Sequence, residues 1–295
     1  MTDLILVEDY IASALAGDDV GSYVDVPEGD LRSVRFYVPP YMGTPEGFEA
    51  MARMPALEVC QLPTAGFEHA FAYIPDGVTV CNAAGVHDAS TAELAIGLML
   101  TSLRELDTFA RAMPQGVWLT GDGISLADRN ILIVGAGGIG KALLRRLDGF
   151  ECEVTLVGRT ARDGVRAITE IESLLPHADV VVLAVPLNDT TGGLVDAAFL
   201  ARMRDGALLV NVARGGVVVT DALVAEVGSG RLRAALDVTD PEPLPSDHPL
   251  WRMPGVFIAP HVGGDSTAFI PRIQRLVGDQ VGRWRRGEVL RNVVA

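Results

Sequence analysis

Cysteine, basic residues and long apolar runs are all scarce in this 295-residue sequence, and each scarcity excludes a class of protein. The three cysteines, Cys60, Cys81 and Cys152, are widely spaced without a CxxC pair, which argues against a disulfide framework or a zinc site. No apolar run approaches the roughly 20 residues of a membrane-spanning helix. No basic residue precedes Arg32, which disfavours a cleaved leader, so we expect a cytoplasmic protein.

The charge balance narrows the choice of partners. Lysine and arginine together number 24 against 38 aspartates and glutamates, which gives a net charge of -14. This balance opposes nonspecific binding to nucleic acid or to anionic membranes, so we expect neither as a partner. An anionic ligand would need a local positive site. With 49% hydrophobic residues the chain can bury a large core, and its length predicts two domains.

Short apolar runs alternate with helical or turn-rich segments along the whole chain. Near-continuous apolar runs are typical of parallel strands that are buried on both faces of a sheet. The first four predict a small parallel sheet covered by helices, and the last six predict a doubly wound sheet. Between the two groups, residues 88–112 are predicted to form one long helix that ends at Met113-Pro-Gln-Gly116. The apolar runs are residues 4–7, 34–38, 57–62, 78–81, 131–134, 154–157, 180–185, 207–210, 234–237 and 256–259.

The glycine-rich sequence GAGGIG at residues 135–140 lies between the apolar run 131–134 and an amphipathic segment at 141–147. In this strand–turn–helix context the glycines allow a tight turn and close approach to a pyrophosphate, while the helix N-terminus attracts the phosphate charge. The alternative is a glycine-rich turn without a ligand. The predicted dinucleotide contacts from this turn are Gly135, Gly137, Gly138, Ile139 and Gly140.

The second strand of this group ends in Gly158-Arg159-Thr160, without the acidic residue that usually binds the ribose hydroxyls of NAD. Arg159 and Thr160 instead offer positive charge and hydrogen-bond donors that suit the 2′-phosphate of NADP. We therefore predict NADP as the cofactor, with NAD as the alternative. Solvated side chains without a ligand are the other interpretation.

Three residues of chemical interest follow late strands: Arg214, Glu242 and His261. Ligands of doubly wound sheets bind beyond the carboxyl ends of the strands, so one crevice can hold all three residues. Arginine binds a carboxylate in a bidentate fork, histidine exchanges protons near neutral pH, and a glutamate would orient that histidine. Each residue alone also has a structural interpretation: bonds to strand-end carbonyls for Arg214, a loop carboxylate for Glu242 and a structural role for His261.

Several motifs of the sequence belong to one known pattern. They are GAGGIG at 135–140, Val185-Pro-Leu187 with Thr191, Asn211-Val-Ala-Arg-Gly215, Leu236-Asp-Val238, Glu242-Pro-Leu-Pro245, His248-Pro-Leu-Trp251 and Pro260-His-Val-Gly-Gly264. With these motifs the chain resembles the D-isomer-specific 2-hydroxyacid dehydrogenase family along nearly its whole length. This resemblance implies an α/β fold with a Rossmann doubly wound parallel sheet at residues 93–267. It also implies a smaller flavodoxin-like α/β substrate domain at 1–92 and 268–295, and a homodimer.

The resemblance also implies a role for each site residue. Arg214 would bind the carboxylate and carbonyl of a 2-oxo acid, His261 would donate a proton, and Glu242 would support His261. The backbone amides of Ala65 and Gly66, in the loop 64–69, would bind the substrate carboxylate. No metal is expected. Further dinucleotide contacts are expected from Pro186, Thr191, Ala213 and, at the nicotinamide carboxamide, Asp237.

The expected function is therefore that of an enzyme similar to glyoxylate and hydroxypyruvate reductases, which reduces a small anionic 2-oxo acid to a D-2-hydroxy acid with NADPH. A different class of function stays open, namely a dinucleotide-sensing binding protein, similar to a co-repressor, on the same fold without significant turnover. A short-chain dehydrogenase is excluded because it needs a Tyr-x-x-x-Lys pair, and the only lysine is Lys141, directly after the glycine-rich sequence.

Overall fold

The computed structural model describes residues 4–23, 28–41 and 45–295, and it divides into two compact units. The first unit comprises Met1–His87 and Ser266–Ala295, and the second comprises Asp88–Asp265. These divisions fall a few residues earlier than those drawn from the sequence, after residues 92 and 267. The helix that begins at Asp88 lies whole within the second unit because it packs there as one body.

Helices and strands alternate in both units. The strands of the described residues are β1 (Leu4–Val7), β2 (Val20–Ser22), β3 (Val34–Tyr37), β4 (Val59–Gln61), β5 (Thr79–Cys81), β6 (Asn130–Val134), β7 (Glu153–Gly158), β8 (Arg166–Ala167), β9 (Val180–Leu183), β10 (Leu208–Asn211), β11 (Arg233–Leu236) and β12 (Val256–Ile258). The α-helices are α1 (Asp9–Ala12), α2 (Pro45–Glu49), α3 (Asp88–Leu103), α4 (Leu106–Ala112), α5 (Gly138–Leu147), α6 (Ile171–Leu174), α7 (Ala197–Arg202), α8 (Thr220–Gly228) and α9 (Phe269–Arg285).

The first unit is built on a parallel sheet with the strand order β2-β1-β3-β4-β5. This order is the flavodoxin-like one, so the prediction of a small α/β domain is confirmed. Helix α9 covers one face of the sheet with a stripe of apolar side chains four residues apart, the spacing that places them on one side of a helix. The stripe consists of Phe269, Ile273, Val277 and Val281, all buried.

The second unit contains a parallel sheet with the order β12-β11-β10-β9-β6-β7-β8. The chain starts at β6, builds outward through β7, and then returns to the other side of β6 with β9. Strand order therefore reverses between β6 and β9, which is the switch point where doubly wound sheets bind their ligands. The doubly wound sheet predicted from the apolar runs is confirmed, and β8 is added to the six predicted strands.

Both faces of this second sheet are buried, which explains the unbroken apolar runs of the sequence. Along β6, Ile131 and Ile133 point into a core shared with α3 and α5, whereas Leu132 and Val134 point into the core on the opposite face. Successive side chains of a strand alternate between faces, so each apolar residue fills one of two cores. Because both faces of the sheet are covered, a ligand has to bind at the ends of the strands.

The prediction of one continuous helix over residues 88–112 is wrong, because the helix breaks between α3 and α4. Glu105 has a φ of 56°, in the left-handed region, which a right-handed helix cannot continue through. The amide of Ile124 donates to the carbonyl oxygen of Leu103 at 2.8 Å, so a neighbouring segment binds the last turn of α3. Helix α4 then ends at Ala112, and Gly116 closes the following turn at a φ of 65°.

Among the residues that the structure describes, no helix is both long enough and apolar enough to cross a lipid bilayer. The longest helices, α3 and α9, pack against the sheets of their own units instead.

Candidate active site

The residues singled out in the second unit follow the carboxyl ends of neighbouring parallel strands. In sheet order, His261 follows β12, Asp237 and Glu242 follow β11, Arg214 follows β10, the 186–191 turn follows β9, the glycine turn follows β6, and Arg159 follows β7. Because parallel strands end at one edge of a sheet, these segments form a row along that edge. The switch point between β6 and β9 lies within the row.

Neighbouring backbone leaves no room for a side chain at Gly135 and Gly140 of the glycine turn. Gly135 has a φ of 128°, and a Cβ there would lie 2.2 Å from the carbonyl oxygen of Ala184, just beyond β9. A Cβ on Gly140 would lie 1.9 Å from the carbonyl oxygen of Gly135, so helix and strand approach closely only with glycine at both positions. Gly137 is the N-cap of α5 and has no side chain that could cap the helix amides.

Asp88 lies against this turn, a contact that the sequence alone does not predict. A Cβ on Gly138 would lie 1.9 Å from Oδ2 of Asp88, which is the first residue of α3. The carboxylate thus approaches the N-terminus of α5, where the partial positive charge of the helix favours an anion. Fifty residues separate the two positions in the chain, so no local sequence pattern connects them.

Arg159 and Thr160 lie exposed immediately beyond β7. Next to them, Arg162 donates from Nη2 to the carbonyl oxygen of Ala136 at 3.2 Å, which links this end of β7 to the glycine turn. The Arg159 guanidinium therefore lies on a segment that is attached to the predicted pyrophosphate site. An exposed cation at this point can meet a phosphate at the ribose end of a dinucleotide.

The turn after β9 is closed by Thr191. Its hydroxyl donates to the carbonyl oxygen of Pro186 at 2.6 Å, and it accepts from the amide of Asn188 at 2.9 Å. Pro186 is exposed and Thr191 is partly exposed. The threonine side chain thus builds the turn itself, which explains its place in the motif independently of any ligand.

Buried Asn211 fixes the turn that carries Arg214. Its Nδ2 donates to the carbonyl oxygen of Arg214 at 3.0 Å, and its Oδ1 accepts from the amide of Ala213 at 3.0 Å. The Arg214 guanidinium is half-buried and donates from Nη1 to the carbonyl oxygen of Ala213 at 2.7 Å. One of its donors is therefore used within the strand end, while arginine offers five in all. Asn211 belongs to the motif at residues 211–215, but its position in the sequence does not predict this role.

Asp237 is buried at the end of β11 and binds the turn that carries His261. Its two carboxylate oxygens accept from the amides of Val262, at 2.8 Å, and Gly263, at 3.0 Å. Burial raises the pKa of Asp237, and the two amide donors oppose that effect by stabilising the charged form. The carboxylate thus holds the turn in place.

His261 has a φ of 53°, and its amide donates to the carbonyl oxygens of Asp237 at 2.7 Å and Ala259 at 3.0 Å. The left-handed backbone at His261 redirects the chain immediately after β12. On the side chain, Nδ1 of His261 makes a short hydrogen bond to Oε1 of Glu242. The carboxylate accepts, so Nδ1 carries a hydrogen and Nε2 is the ring atom left to face a ligand. Both side chains are partly exposed.

The structure therefore brings Glu242 and His261 into direct contact, and it packs the Arg214 turn against the segment that leads to Glu242. A Cβ on Gly215 would lie 1.8 Å from the carbonyl oxygen of Thr239, so the turn after β10 touches the segment after β11. The hydroxyl of Thr220 also donates to the carbonyl oxygen of Asp240 at 2.7 Å. These contacts join the three chemical residues into one set of adjoining turns.

In the first unit, the carbonyl oxygens of Ala65 and Gly66 accept hydrogen bonds from side chains, whereas the amides of these two residues stay available to a ligand. Asn82 donates from Nδ2 to the carbonyl oxygen of Ala65 at 2.7 Å, and the Thr64 hydroxyl donates to that of Gly66 at 2.7 Å. Within the described parts of the chain, neither the Ala65 nor the Gly66 amide donates to a protein acceptor. Two such amides are suited to bind a carboxylate.

The sheet edge of the second unit fits a nicotinamide dinucleotide on its own geometry. A Cβ on Gly137, the N-cap of α5, would meet no atom within 4 Å, so the backbone at this point of the turn is open to a pyrophosphate. The described residues contain no group of three or more histidine, cysteine, aspartate or glutamate side chains that could ligate a metal. The reactive groups that the described residues place along this edge are the Glu242–His261 pair and the Arg214 guanidinium.

Comparisons with known proteins agree with this geometry. A family model described as D-isomer specific 2-hydroxyacid dehydrogenase, NAD binding domain, matches residues 96–263. The chain is 32% identical over 260 residues to a glyoxylate reductase of Thermofilum pendens, which covers 82% of this chain and 76% of the relative. It is 36% identical over 224 residues to the glyoxylate reductase/hydroxypyruvate reductase of Homo sapiens, with 72% and 68% covered.

A solved structure leads to the same family. The D-isomer specific 2-hydroxyacid dehydrogenase of Xanthobacter autotrophicus, in complex with NADPH and MES, matches with a TM-score of 0.82 and 28% sequence identity, covering 100% of this chain and 98% of that one. The glycine turn and the Glu242–His261 pair are consistent with the family that the model and the relatives indicate. The chain therefore belongs to the D-isomer specific 2-hydroxyacid dehydrogenase family and is an NAD(P)-dependent oxidoreductase.

Proposed function

We propose that this protein reduces a small 2-oxo acid to a D-2-hydroxy acid, with NADPH as the preferred reductant. The observation that carries the proposal is the hydrogen bond between Glu242 and His261, on the same sheet edge as the glycine turn. A dinucleotide-binding sheet explains the turn alone. An oriented imidazole at that edge adds a proton donor, which reduction of a ketone requires.

In this mechanism each residue acts on a defined atom. When bound, the reduced nicotinamide supplies the hydride that C2 of the substrate accepts. His261 donates a proton from Nε2 to the carbonyl oxygen, and Glu242 keeps the ring oriented by accepting from Nδ1. Arg214 binds the carboxylate and stabilises the negative charge that develops on the carbonyl oxygen. After the proton transfer, Glu242 neighbours a neutral imidazole that solvent can reprotonate.

Other residues hold the two ligands in this proposal. The amides of Ala65 and Gly66 donate to the substrate carboxylate, which is consistent with their lack of described protein acceptors. Asp237 contacts the nicotinamide carboxamide with a remaining lone pair while it keeps the His261 turn in place. The other proposed dinucleotide contacts are the glycine turn with Ile139, Pro186, Thr191 and Ala213.

The substrate class is tested with a spectrophotometric screen of reduced-nicotinamide oxidation. Glyoxylate and hydroxypyruvate are the first probes because two relatives are named as their reductases. Pyruvate and bulkier 2-oxo acids measure how much side chain the site accepts. We expect turnover with at least one small acid. Tight dinucleotide binding without oxidation by any of these acids would favour a dinucleotide-sensing protein instead.

The NADPH preference depends on Arg159, and we expect Arg159→Leu to weaken NADPH binding roughly 10- to 100-fold while NADH binding changes little. A charge-assisted hydrogen bond contributes about 1.5–3 kcal/mol, and only NADPH carries the 2′-phosphate that Arg159 is proposed to bind. The dissociation constants of both dinucleotides are measured by fluorescence titration. Arg145→Gln is the matched control, since it removes an exposed positive charge at the far end of α5.

Equal weakening of NADPH and NADH by Arg159→Leu would contradict the assignment, as would tighter binding of NADH than of NADPH by the wild-type protein. A loss that Arg145→Gln reproduces would indicate a general effect of surface charge instead of a specific phosphate contact.

We also propose a cytoplasmic homodimer. Burial raises the pKa of Cys60 to about 12 and that of Cys81 to about 11, so both thiols are unreactive and suit a reducing compartment. Met113 and Trp118, which lie in the segment after α4, are 75% and 92% exposed. Large exposed apolar side chains in one short segment favour association with another subunit.

A further inference from the structure

The last residues of the chain pair with the outer edge of the first sheet. Strand β5 is the edge strand, and the end of the chain lies antiparallel beside it, with a bridge between Cys81 and Val293. The amide of Val80 donates to the carbonyl oxygen of Ala295 at 2.7 Å, and the amide of Val294 donates to that of Val80 at 2.8 Å. We call residues 289–295 the C-terminal segment. It covers an edge that would otherwise expose unpaired backbone groups.

Two buried glutamines connect the start of the C-terminal segment to the sheet through hydrogen bonds. Gln280, on α9, accepts from the amide of Arg291 at 2.8 Å and donates to its carbonyl oxygen at 2.9 Å. Gln280 also donates to Oε1 of Gln61, on β4, at 2.8 Å, and neither glutamine side chain is exposed. A buried polar network with its groups satisfied permits few alternative arrangements. The C-terminal segment therefore has a fixed position relative to β4 and β5.

Asn292 connects the C-terminal segment to the turn after β5. Its Nδ2 donates to the carbonyl oxygen of Ala84 at 3.1 Å and to that of Asn82 at 3.3 Å, while its own carbonyl oxygen accepts from the Asn82 amide at 3.0 Å. Asn292 has a φ of 53°, a conformation that asparagine adopts more readily than most residues. Asn292 thus binds residues 82–84 through its side chain and its backbone.

Residues 82 and 83 in turn bind the loop that contains the Ala65 and Gly66 amides. Asn82 is buried, and its Nδ2 donates to the carbonyl oxygen of Ala65 at 2.7 Å. The amide of Ala83 donates to the carbonyl oxygen of Thr64 at 2.8 Å. The Thr64 carbonyl shares a peptide group with the Ala65 amide, and the Ala65 carbonyl shares one with the Gly66 amide. Residues 82 and 83 therefore fix the two peptide groups that carry these amides. Their orientation sets where the Ala65 and Gly66 amides point.

We propose that the C-terminal segment positions the loop 64–66 for the substrate carboxylate, with Asn292 and Asn82 as positioning residues that act through hydrogen bonds to the backbone. This inference rests on the proposed role of the Ala65 and Gly66 amides in substrate binding. Neither asparagine touches the substrate in this scheme. Carboxylate binding by two amides depends on their direction, so a loosened loop weakens substrate binding more than it slows the proton transfer.

The proposal is tested in the whole 295-residue chain with Asn292→Gly, which permits the left-handed backbone and removes the side chain that binds residues 82–84. We expect KM for the best 2-oxo acid to rise roughly 5- to 20-fold, as expected for the loss of two neutral hydrogen bonds, with kcat within about 2-fold. The dissociation constant of NADPH stays unchanged. Val293→Ala is the control, because it trims an exposed neighbouring side chain and leaves the backbone pairing with Cys81 in place.

A second variant, Asn82→Asp, keeps the Oδ1 acceptor for the Ala84 amide and loses the donor to Ala65. It places a carboxylate beside a carbonyl oxygen, so we expect a larger rise in KM than with Asn292→Gly. Independently of activity, hydrogen exchange measures the amide of Ala83, whose bond to Thr64 joins the two segments. Exchange at Ala83 is expected to be several-fold faster in Asn292→Gly and unchanged in Val293→Ala.

The outcomes separate this inference from the proposed function. An active wild-type protein whose KM is unchanged in both asparagine variants overturns the positioning role and leaves the function intact. A wild-type protein without turnover on any 2-oxo acid overturns the function, and the exchange rate at Ala83 then decides whether the C-terminal segment and the loop are coupled. A lower melting temperature with unchanged KM and unchanged Ala83 exchange also contradicts the inference.

Discussion

Replacement of His261 by asparagine is expected to lower kcat roughly 10²- to 10⁴-fold, because the variant lacks the group that donates a proton to the carbonyl oxygen. Asparagine is the appropriate substitute since the backbone at His261 has a φ of 53°, which asparagine tolerates better than most residues. The KM for the 2-oxo acid and the affinity for NADPH are expected to change little. Steady-state kinetics and a dinucleotide titration measure these quantities.

A matched control is His177→Asn, which changes an exposed histidine of the same unit at the end of a helical turn. It is expected to retain the kinetics of the wild-type protein. Retention of most of the wild-type kcat by His261→Asn would eliminate His261 as the proton donor. Equal losses in both histidine variants would point to destabilisation, which thermal unfolding detects directly.

The second large effect is expected from Arg214→Ala, which should weaken substrate binding and slow turnover. Loss of the guanidinium removes the bidentate partner of the carboxylate and a donor to the developing oxyanion. We expect kcat to fall roughly 10²-fold or more and KM for the 2-oxo acid to rise about 10-fold. Arg214→Lys retains the charge without the planar fork, so an intermediate loss is expected.

Structural damage is separated from lost chemistry by two measurements on these variants. The Arg214 guanidinium also donates to Ala213, so Arg214→Ala removes one local hydrogen bond of the turn. Unchanged NADPH affinity and an unfolding temperature close to that of the wild-type protein would show that the sheet edge is intact. Arg252→Ala, at an exposed position of the same unit, is the control. Full 2-oxo acid reduction by Arg214→Ala would refute the role of Arg214.

The site is supported by buried polar side chains behind the reactive ones. Asn211 shapes the turn of Arg214, and Asp237 holds the amides that follow His261. Their own hydrogen bonds are made, so burial costs them less than it would cost unpaired groups. Reactive groups at a solvent-exposed edge are thus attached to a rigid interior, which limits their motion relative to each other.

Much of the fold follows from the sequence because apolar periodicity is a local property. The runs at residues 131–134 and 180–185 are too apolar for a half-exposed strand, and the glycine turn between strand and helix marks the first crossover. Strands β2 and β8 were not predicted from the sequence. They are only three and two residues long and are less apolar than the predicted strands. They form because neighbouring strands offer free edges, which no local pattern shows.

The long-range contacts could not be predicted in the same way. Asp88 meets Gly138, the carbonyl of Leu103 meets the amide of Ile124, and Asn292 meets Ala84, all across many intervening residues. Each partner alone has an ordinary local interpretation. The break of the predicted helix at Glu105 belongs here too, because the bond from Ile124 to Leu103 is formed only once the chain has folded back.

The sequence by itself predicted the α/β class, ten of the strands, the glycine turn, and Arg214, Glu242 and His261 as candidate site residues. These features depend on residue type and on near neighbours in the chain. Only the tertiary structure decided that Nδ1 of His261 faces Glu242, that Asp237 binds the following turn, and that Asn292 binds Asn82 and Ala84. Such contacts depend on which distant backbone groups remain unpaired after the sheets have formed.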